Sequence, residues 1–277
     1  MVEVLEWSRS DTARFVRSAS AEDDKYSRGV VALRTGSVAY PGAAILGVEA
    51  AWRAGAGFVR FVGEQRVADA VLARRPETVA GGDVGRTRVD CWVIGSGTDA
   101  ADRSPEEESA LRVLLAGEAR VVVDAGALDL VDRVAAPVLL TPHAGEFAKL
   151  RARLRLPADG SDRVAAVHEV ARALGATVLL KGSRTLIAAP EGAVVALAAG
   201  TGWLATAGTG DVLGGTLAAI LAANPGASVQ EAAAAGAWLH GYAARLASGT
   251  ENGLPGHPIV ALDVAQALPR AVADVLA

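Results

Sequence analysis

Cysteine is nearly missing from this 277-residue chain: Cys91 stands alone, which excludes a disulfide framework and any zinc site built on several thiolates. Lysine is scarce as well, with Lys25, Lys149 and Lys181 set against 24 arginines. Aromatic residues make up only 4%. Neither sign of charge dominates: 31 acidic residues face 27 basic ones, for a net charge of −4, which argues against a nucleic-acid scaffold. Long apolar runs are missing too. Thr216–Ala223 and Ala232–Leu239 are the longest and fall far short of the roughly 20 residues that span a bilayer, so no membrane partner is expected. Charged residues from Glu3 to Arg17 break up the first 20 positions and leave no core for a signal peptide. Export is therefore not expected, and the lone cysteine fits a reducing cytoplasm. No linker, composition shift or internal repeat divides the chain, so one domain over residues 1–277 is expected.

Hydrophobic residues, at 51%, suffice to offset the chain entropy lost on folding. Short β-rich runs alternate with longer segments of helical period, the pattern of an α/β fold with a mostly parallel sheet flanked by helices on both faces. The predicted strands are Val30–Arg34, Phe58–Val62, Cys91–Ile94, Arg120–Val123 and Val138–Thr141, followed by a more antiparallel edge of Thr177–Leu180, Thr185–Ala189 and Val194–Leu197. The predicted helices are Gly42–Ala54, Pro105–Gly117, Ser161–Leu174, Asp211–Ala223 and Ser228–Ala247, the last with Ser228 and Glu231 spaced as a capping box. Pro76–Arg88 and Thr250–Pro258 read as irregular loops.

Ala207-Gly208-Thr209-Gly210-Asp211 opens a segment of strong helix formers. Glycines before a helix start let successive N–H groups point at one spot, where the helix dipole also favours an anion. Asp211 has two readings of similar weight: a carboxylate that complements the dipole, or a base that takes a proton during phosphoryl transfer. Thr141-Pro142-His143-Ala144-Gly145-Glu146 follows a strand, which puts His143 and Glu146 where open α/β sheets bind ligands. The same residues also fit a plain strand-to-helix turn. HAGE is not a zinc motif. Lys181-Gly182-Ser183-Arg184-Thr185, between two strands, could line a nucleotide pocket, although a simple hairpin explains it better in isolation. Gly95-Ser96-Gly97-Thr98-Asp99 and Asp124 are further strand-end features with structural readings of their own.

The order of these segments is more specific than any one of them. YPGAAILGVEAAWRAGAGFVR, VIGSGTD, VVVDAGAL, LLTPHAGEFAKL, LLKGSRTLIAAP, GTGWLATAGTGDVLGGTLAAILA and AAAAGAWLHGYAARLA run from Gly29 nearly to the C-terminus. In this order they resemble the ADP/ATP-dependent NAD(P)H-hydrate dehydratases of the ribokinase-like superfamily. Residues 1–25 have no counterpart, and the epimerase domain sometimes fused to these hydro-lyases is not seen. The resemblance implies a ribokinase-like domain that uses ADP or ATP, with Mg2+, to phosphorylate the 6-hydroxyl of hydrated NADH or NADPH. Elimination of phosphate then restores the coenzyme.

By the same resemblance Gly208, Thr209 and Gly210 form an anion hole and Asp211 activates the hydroxyl. Ala43, Gly97, His143 and Asp211 contact the hydrated dinucleotide, while Lys181, Gly182, Ser183, Arg184, Thr185 and Gly210 contact the adenine nucleotide. Glu146 matches an indirect magnesium organiser. A separate epimerase is an expected pathway partner, and a homo-oligomer is the expected assembly. Three departures stand out: Arg34 in a stretch that usually reads IGGS, Ser96 where GPGLG has its proline, and Arg184 where a small residue is common. The alternatives are a hydroxyethylthiazole or hydroxymethylpyrimidine type kinase, which shares the GTGD logic, and a catalytically weak nucleotide sensor, against which Asp211 speaks.

Overall fold

In chain order the strands are β1 (Val4–Glu6), β2 (Val30–Arg34), β3 (Phe58–Val62), β4 (Val79–Gly81), β5 (Cys91–Ile94), β6 (Arg120–Val123), β7 (Val138–Leu140), β8 (Thr177–Leu180), β9 (Thr185–Ala188) and β10 (Val194–Leu197). The α-helices are α1 (Arg9–Ala13), α2 (Pro41–Arg53), α3 (Gln65–Arg74), α4 (Pro105–Leu115), α5 (Ala144–Arg153), α6 (Arg163–Leu174), α7 (Thr209–Ala223), α8 (Val229–Ser248) and α9 (Ala261–Leu276). This computed structural model describes residues 2–132, 137–158 and 162–277. The predicted helix start at Ser161 lies outside the described residues; Asp162 caps α6, its carboxylate accepting the Ala165 N–H at 2.9 Å.

All ten strands join one sheet in the order β4-β3-β2-β5-β6-β7-β8-β9-β10-β1. From β4 to β8 every pairing is parallel. β9 runs against both neighbours, as the expected antiparallel edge requires. The chain builds outward from β2 to β4, then returns to β5 on the other side of β2. That reversal opens a crevice beyond the carboxyl ends of β2 and β5, the position at which such sheets place ligands.

Side chains alternate between two cores along the buried strands, as the two-residue period demands. Val31, Leu33, Cys91, Val93, Val122, Leu139 and Leu179 join the core under α2, α7, α8 and α9. Ala32, Trp92, Ile94, Val123, Leu140 and Leu180 face the core under α4, α5 and α6. The Ala-rich run of α8 is therefore consumed within the chain. Ala232, Ala233, Ala235 and Leu239 are wholly buried, which accounts for their character without a subunit interface.

α7 approaches the sheet through small residues. A Cβ on Gly215 would stand 2.1 Å from the Gly47 carbonyl oxygen, so α2 and α7 touch backbone to backbone. At its far end Arg120 donates to the carbonyls of Leu221, Asn224, Pro225 and Ala227. A cation at a helix C-terminus complements the dipole, and here it anchors the end of α7 opposite the site.

The structure adds elements that periodicity missed. α9 carries Pro269 on its exposed face, which breaks the helical reading although Val264, Leu268, Ala271 and Val275 are buried at helical spacing. α3 is short and strongly charged. β4 lies inside the stretch expected to be irregular. Residues 4–6 form β1 beside β10, so the N-terminal stretch contributes a strand to the sheet. At α8 the Ser228 hydroxyl accepts the Glu231 N–H at 3.2 Å. The reciprocal half of the expected box is replaced by a Ser228 to Glu231 side-chain bond at 2.8 Å.

One buried charge is structural. Glu49 on α2 is fully buried and accepts from Arg53 at 2.6 Å, Arg74 at 3.2 Å and Arg75 at 2.5 Å. Burial alone would raise its pKa, but the Arg75 and Arg53 bonds and the neighbouring charges outweigh it and hold the carboxyl at about 2. Because the folded pKa lies below the unfolded one, the associated stability is present above about pH 4.5 and is lost as pH falls toward 2. Glu49→Gln should cost roughly 3 kcal/mol by urea denaturation at pH 7, as for a broken buried ion pair, with the deficit shrinking through that acid window. An equal deficit at pH 3 and pH 7 would contradict the assignment.

Candidate active site

Four adjacent strand ends, those of β5, β6, β7 and β8, deliver Ser96, Asp124, Thr141 and Lys181 to one place. Asp124, almost fully buried, accepts from Lys181 Nζ at 2.8 Å and Thr141 Oγ1 at 2.9 Å on one oxygen, and from Ser96 Oγ at 3.2 Å on the other. Lys181 Nζ also stands 3.9 Å from Glu146 Oε2. Pro142 follows β7, and its carbonyl accepts the Lys181 N–H at 2.9 Å, which fixes the two strand ends relative to each other.

The N-terminus of α7 enters the same space. Gly208 has φ +88°, a left-handed conformation that a side chain would strain, and it turns the chain into the helix. The Thr209 hydroxyl lies 3.0 Å from the carbonyls of both Leu204 and Thr206. The N–H groups of Thr209, Gly210 and Asp211 lack intrahelical acceptors, so three donors and the positive helix end converge as an anion site. Gly210 faces the strand-end cluster: a Cβ there would lie 3.7 Å from Lys181 Nζ and 3.8 Å from Asp124 Oδ2.

Asp211 occupies the first turn of α7. Burial and the negative charge of Asp124 push its pKa up to about 6, against the opposing pull of the Ser96 hydroxyl and the Lys181 ammonium. A carboxylate of that pKa is a stronger base than a free aspartate and is still ionised at neutral pH.

A cavity of about 460 Å³ opens on one side of this centre. Lys181, Gly182, Ser183, Thr185 and Gly210, five of the residues predicted to contact a nucleotide, line it together with the 199–205 loop and Thr209. The sixth, Arg184, does not line it; its guanidinium pairs with Glu6 at the end of β1. On the other side a second cavity of about 460 Å³ runs along Thr35, Gly36, Tyr40 and Thr98 at the sheet's switch point. Arg34 lines it as well, but its charge is taken up by Glu107 through bonds of 2.8 and 3.1 Å.

Of the residues expected to contact the dinucleotide, Ala43 and Gly97 adjoin Gly36 and Tyr40 of this second cavity, while His143 stands at the start of α5 and Asp211 in the first turn of α7. Gly97 packs directly on Ala43 at the start of α2 and borders Gly36. His143 caps α5, its Nδ1 accepting the N–H groups of Gly145 at 3.0 Å and Glu146 at 3.3 Å. Glu146 returns the bond by accepting the His143 N–H at 2.8 Å. His143, whose Nε2 is 3.5 Å from Glu146, thereby connects through Glu146 to Lys181. The plain helix-start reading of this motif and its position beside the site hold together.

Two features escaped the sequence. His240 on α8 lines the first of the two cavities; burial brings its pKa down to about 4, and its buried Nε2 has no partner among the described residues. The signal was a histidine in an otherwise Ala-rich helix. Ser96, read from the sequence as a strand-end residue and a lost proline but not as a donor, supplies a hydroxyl to Asp124. Among the described residues no group of three or more His, Cys, Asp or Glu is assembled to hold a metal ion, and no helix is long and apolar enough to cross a membrane.

The family described as NAD(P)H-hydrate dehydratase matches residues 31–263. The ADP-dependent (S)-NAD(P)H-hydrate dehydratase of Neisseria meningitidis is 37% identical over 83% of this chain and 81% of its own. The bifunctional NAD(P)H-hydrate repair enzyme of Mycobacterium tuberculosis is 43% identical over 80% of this chain and 47% of its own. The chain thus spans about half the length of several curated relatives that it matches. Among solved structures, the ADP/ATP-dependent NAD(P)H-hydrate dehydratase of Bacillus subtilis, co-crystallized with ATP and Mg2+, aligns with a TM-score of 0.83 at 26% identity, covering 99% of both chains. A Thermotoga maritima ribokinase, at 13% identity and a TM-score of 0.54 over 90% of this chain and 99% of its own, shares the fold alone. With the family matched across most of its length and a glycine turn, lysine and aspartate assembled at one sheet end, the chain belongs to the NAD(P)H-hydrate dehydratase family.

Proposed function

We propose that the chain dehydrates the 6S-hydrates of NADH and NADPH, using ADP or ATP as phosphoryl donor. The observation that carries this reading is the position of Asp211 in the first turn of α7, beside Lys181 and Asp124 and next to the free N–H groups of Thr209–Asp211. The nucleotide occupies the cavity walled by Lys181, Gly182, Ser183 and Thr185, with its terminal phosphate on the helix N-terminus. The hydrated nicotinamide enters from the side of Ala43, Gly97 and His143, so that its 6-hydroxyl meets Asp211.

Asp211 accepts the hydroxyl proton as the oxygen attacks phosphorus, and the amides with Lys181 stabilise the charge on the transferring group. Phosphate then leaves C6 and a proton leaves C5, which restores the dihydronicotinamide double bond. With ADP the products are the coenzyme, AMP and phosphate. A Mg2+ brought in with the nucleotide would offset phosphate charge, and Glu146 would take part only indirectly, through the shell around it. The reaction belongs in the cytoplasm, with a separate epimerase converting the R-hydrates.

Mixing the protein with chemically hydrated NADH and either nucleotide should restore the absorbance band of NADH. Failure with both donors, alongside phosphorylation of a thiazole alcohol, would replace this reading with the kinase one. Asp211→Asn should lower kcat by at least about a thousandfold while leaving ADP affinity within about threefold, as for a base used only in the chemical step. In the wild type, kcat/KM should be level above pH 7 and fall as pH drops through about 6, because protonated Asp211 cannot accept the proton. An acid limb near pH 4 would remove Asp211 from that role. Gly210→Ala meets no contact under 3.7 Å, so thermal stability should hold while the methyl fills the phosphate position. ADP binding by calorimetry should weaken about tenfold or more, the loss of one charged hydrogen bond.

A further inference from the structure

Lys181 is held by a carboxylate from a different strand. Asp124 is 5% exposed, and the donors around its two oxygens, Lys181, Thr141 and Ser96, come from the ends of β8, β7 and β5. An ammonium has three donors. Only one is spent on Asp124, and Glu146, at 3.9 Å, is too distant for a normal hydrogen bond. Among the described residues the remaining two have no acceptor, and they face the cavity in front of Gly210, which Lys181 itself lines.

A lysine side chain left to itself samples many rotamers, and confining it at the moment of binding costs rotamer entropy. A fixed acceptor incurs that cost during folding instead. The acceptor here cannot follow the lysine outward, because Thr141 and Ser96 pin both of its oxygens. We propose that Asp124 is a positioning residue that acts through Lys181, aiming the ammonium at the phosphate passing between the nucleotide cavity and Asp211. The inference rests on the nucleotide site proposed above but not on the identity of the second substrate.

The placement also bears on Asp211. The charged and titratable groups around it are Asp124 at the end of β6, Lys181 at the end of β8, with Glu146 of α5 and His240 of α8 near Lys181. Removing the Asp124 charge leaves the Lys181 charge uncompensated, and both changes favour ionised Asp211. The acid limb of kcat/KM therefore moves to lower pH in Asp124→Asn.

The decisive experiment is a double-mutant cycle on the full chain, with ADP affinity read by calorimetry and, separately, the kinetics of dehydration. Asp124→Asn and Lys181→Met should each weaken ADP binding about tenfold, the range of one charge-assisted bond. The double variant should bind no more weakly than Lys181→Met alone, since the carboxylate has nothing left to aim. Effects that multiply to about a hundredfold would overturn the proposal, as would an Asp124→Asn protein with unchanged ADP affinity and an unshifted acid limb. If Asp124→Asn does not fold, Ser96→Ala combined with Thr141→Val keeps the charge but frees the carboxylate. That variant should bind ADP several-fold more weakly in the Lys181 background and equally in the Lys181→Met background; equal losses in both would refute the role. A wild type that binds ADP and obeys the cycle but does not dehydrate hydrated NADH would sink the proposed function and leave this inference standing.

Discussion

The bond between Lys181 and Asp124 joins the ends of β6 and β8 across β7. It exists because parallel strands all present their carboxyl ends on one side, so the residues that follow them fall into a row. Thr141, between the two, completes the row, and Ser96 closes it from β5. The amide-rich end of α7 then meets that row instead of bare solvent. Remove the carboxylate and the lysine has no fixed direction; remove the parallel order and the four residues no longer meet.

An anion site in an acidic protein needs such an arrangement. Asp211, Asp124 and Glu146 bring three carboxylates close to the N-terminus of α7, and Lys181 is the cation placed among them. Backbone N–H groups carry no counter-charge and cannot rotate away. They supply attraction that the modest number of lysines does not. The crowding that makes the site hard to charge also raises the pKa of Asp211, through burial first and Asp124 second.

The strands and most helices were legible because their signal is local. β2, β3, β5, β6, β8 and β10 have the predicted bounds; each is a buried run rich in β-branched or leucine side chains with a sharp polar or glycine boundary. α9 was not legible, because Pro269 removes an N–H donor and breaks the pattern even though the exposed face tolerates it. β1 pairs with β10, Val4 opposite Val194, and no local pattern encodes a pairing across that much chain. The three departures from the family pattern were equally opaque in isolation. Arg34 is neutralised by Glu107, Arg184 is turned to Glu6, and Ser96 has become a donor to Asp124.

The sequence by itself determined the fold class, the order of the motifs and the glycine turn that starts α7, because these depend on backbone freedom and hydrophobic period within a few residues. It also singled out Lys181 as one of only three lysines. Tertiary structure alone decided what that lysine does. Its partner lies 57 positions away and is reached only after β6, β7 and β8 have paired in register. The same closure turned Asp124 from one strand-end carboxylate among several into the residue on which the site is built, since its burial and its donors come from segments that share no local pattern with it.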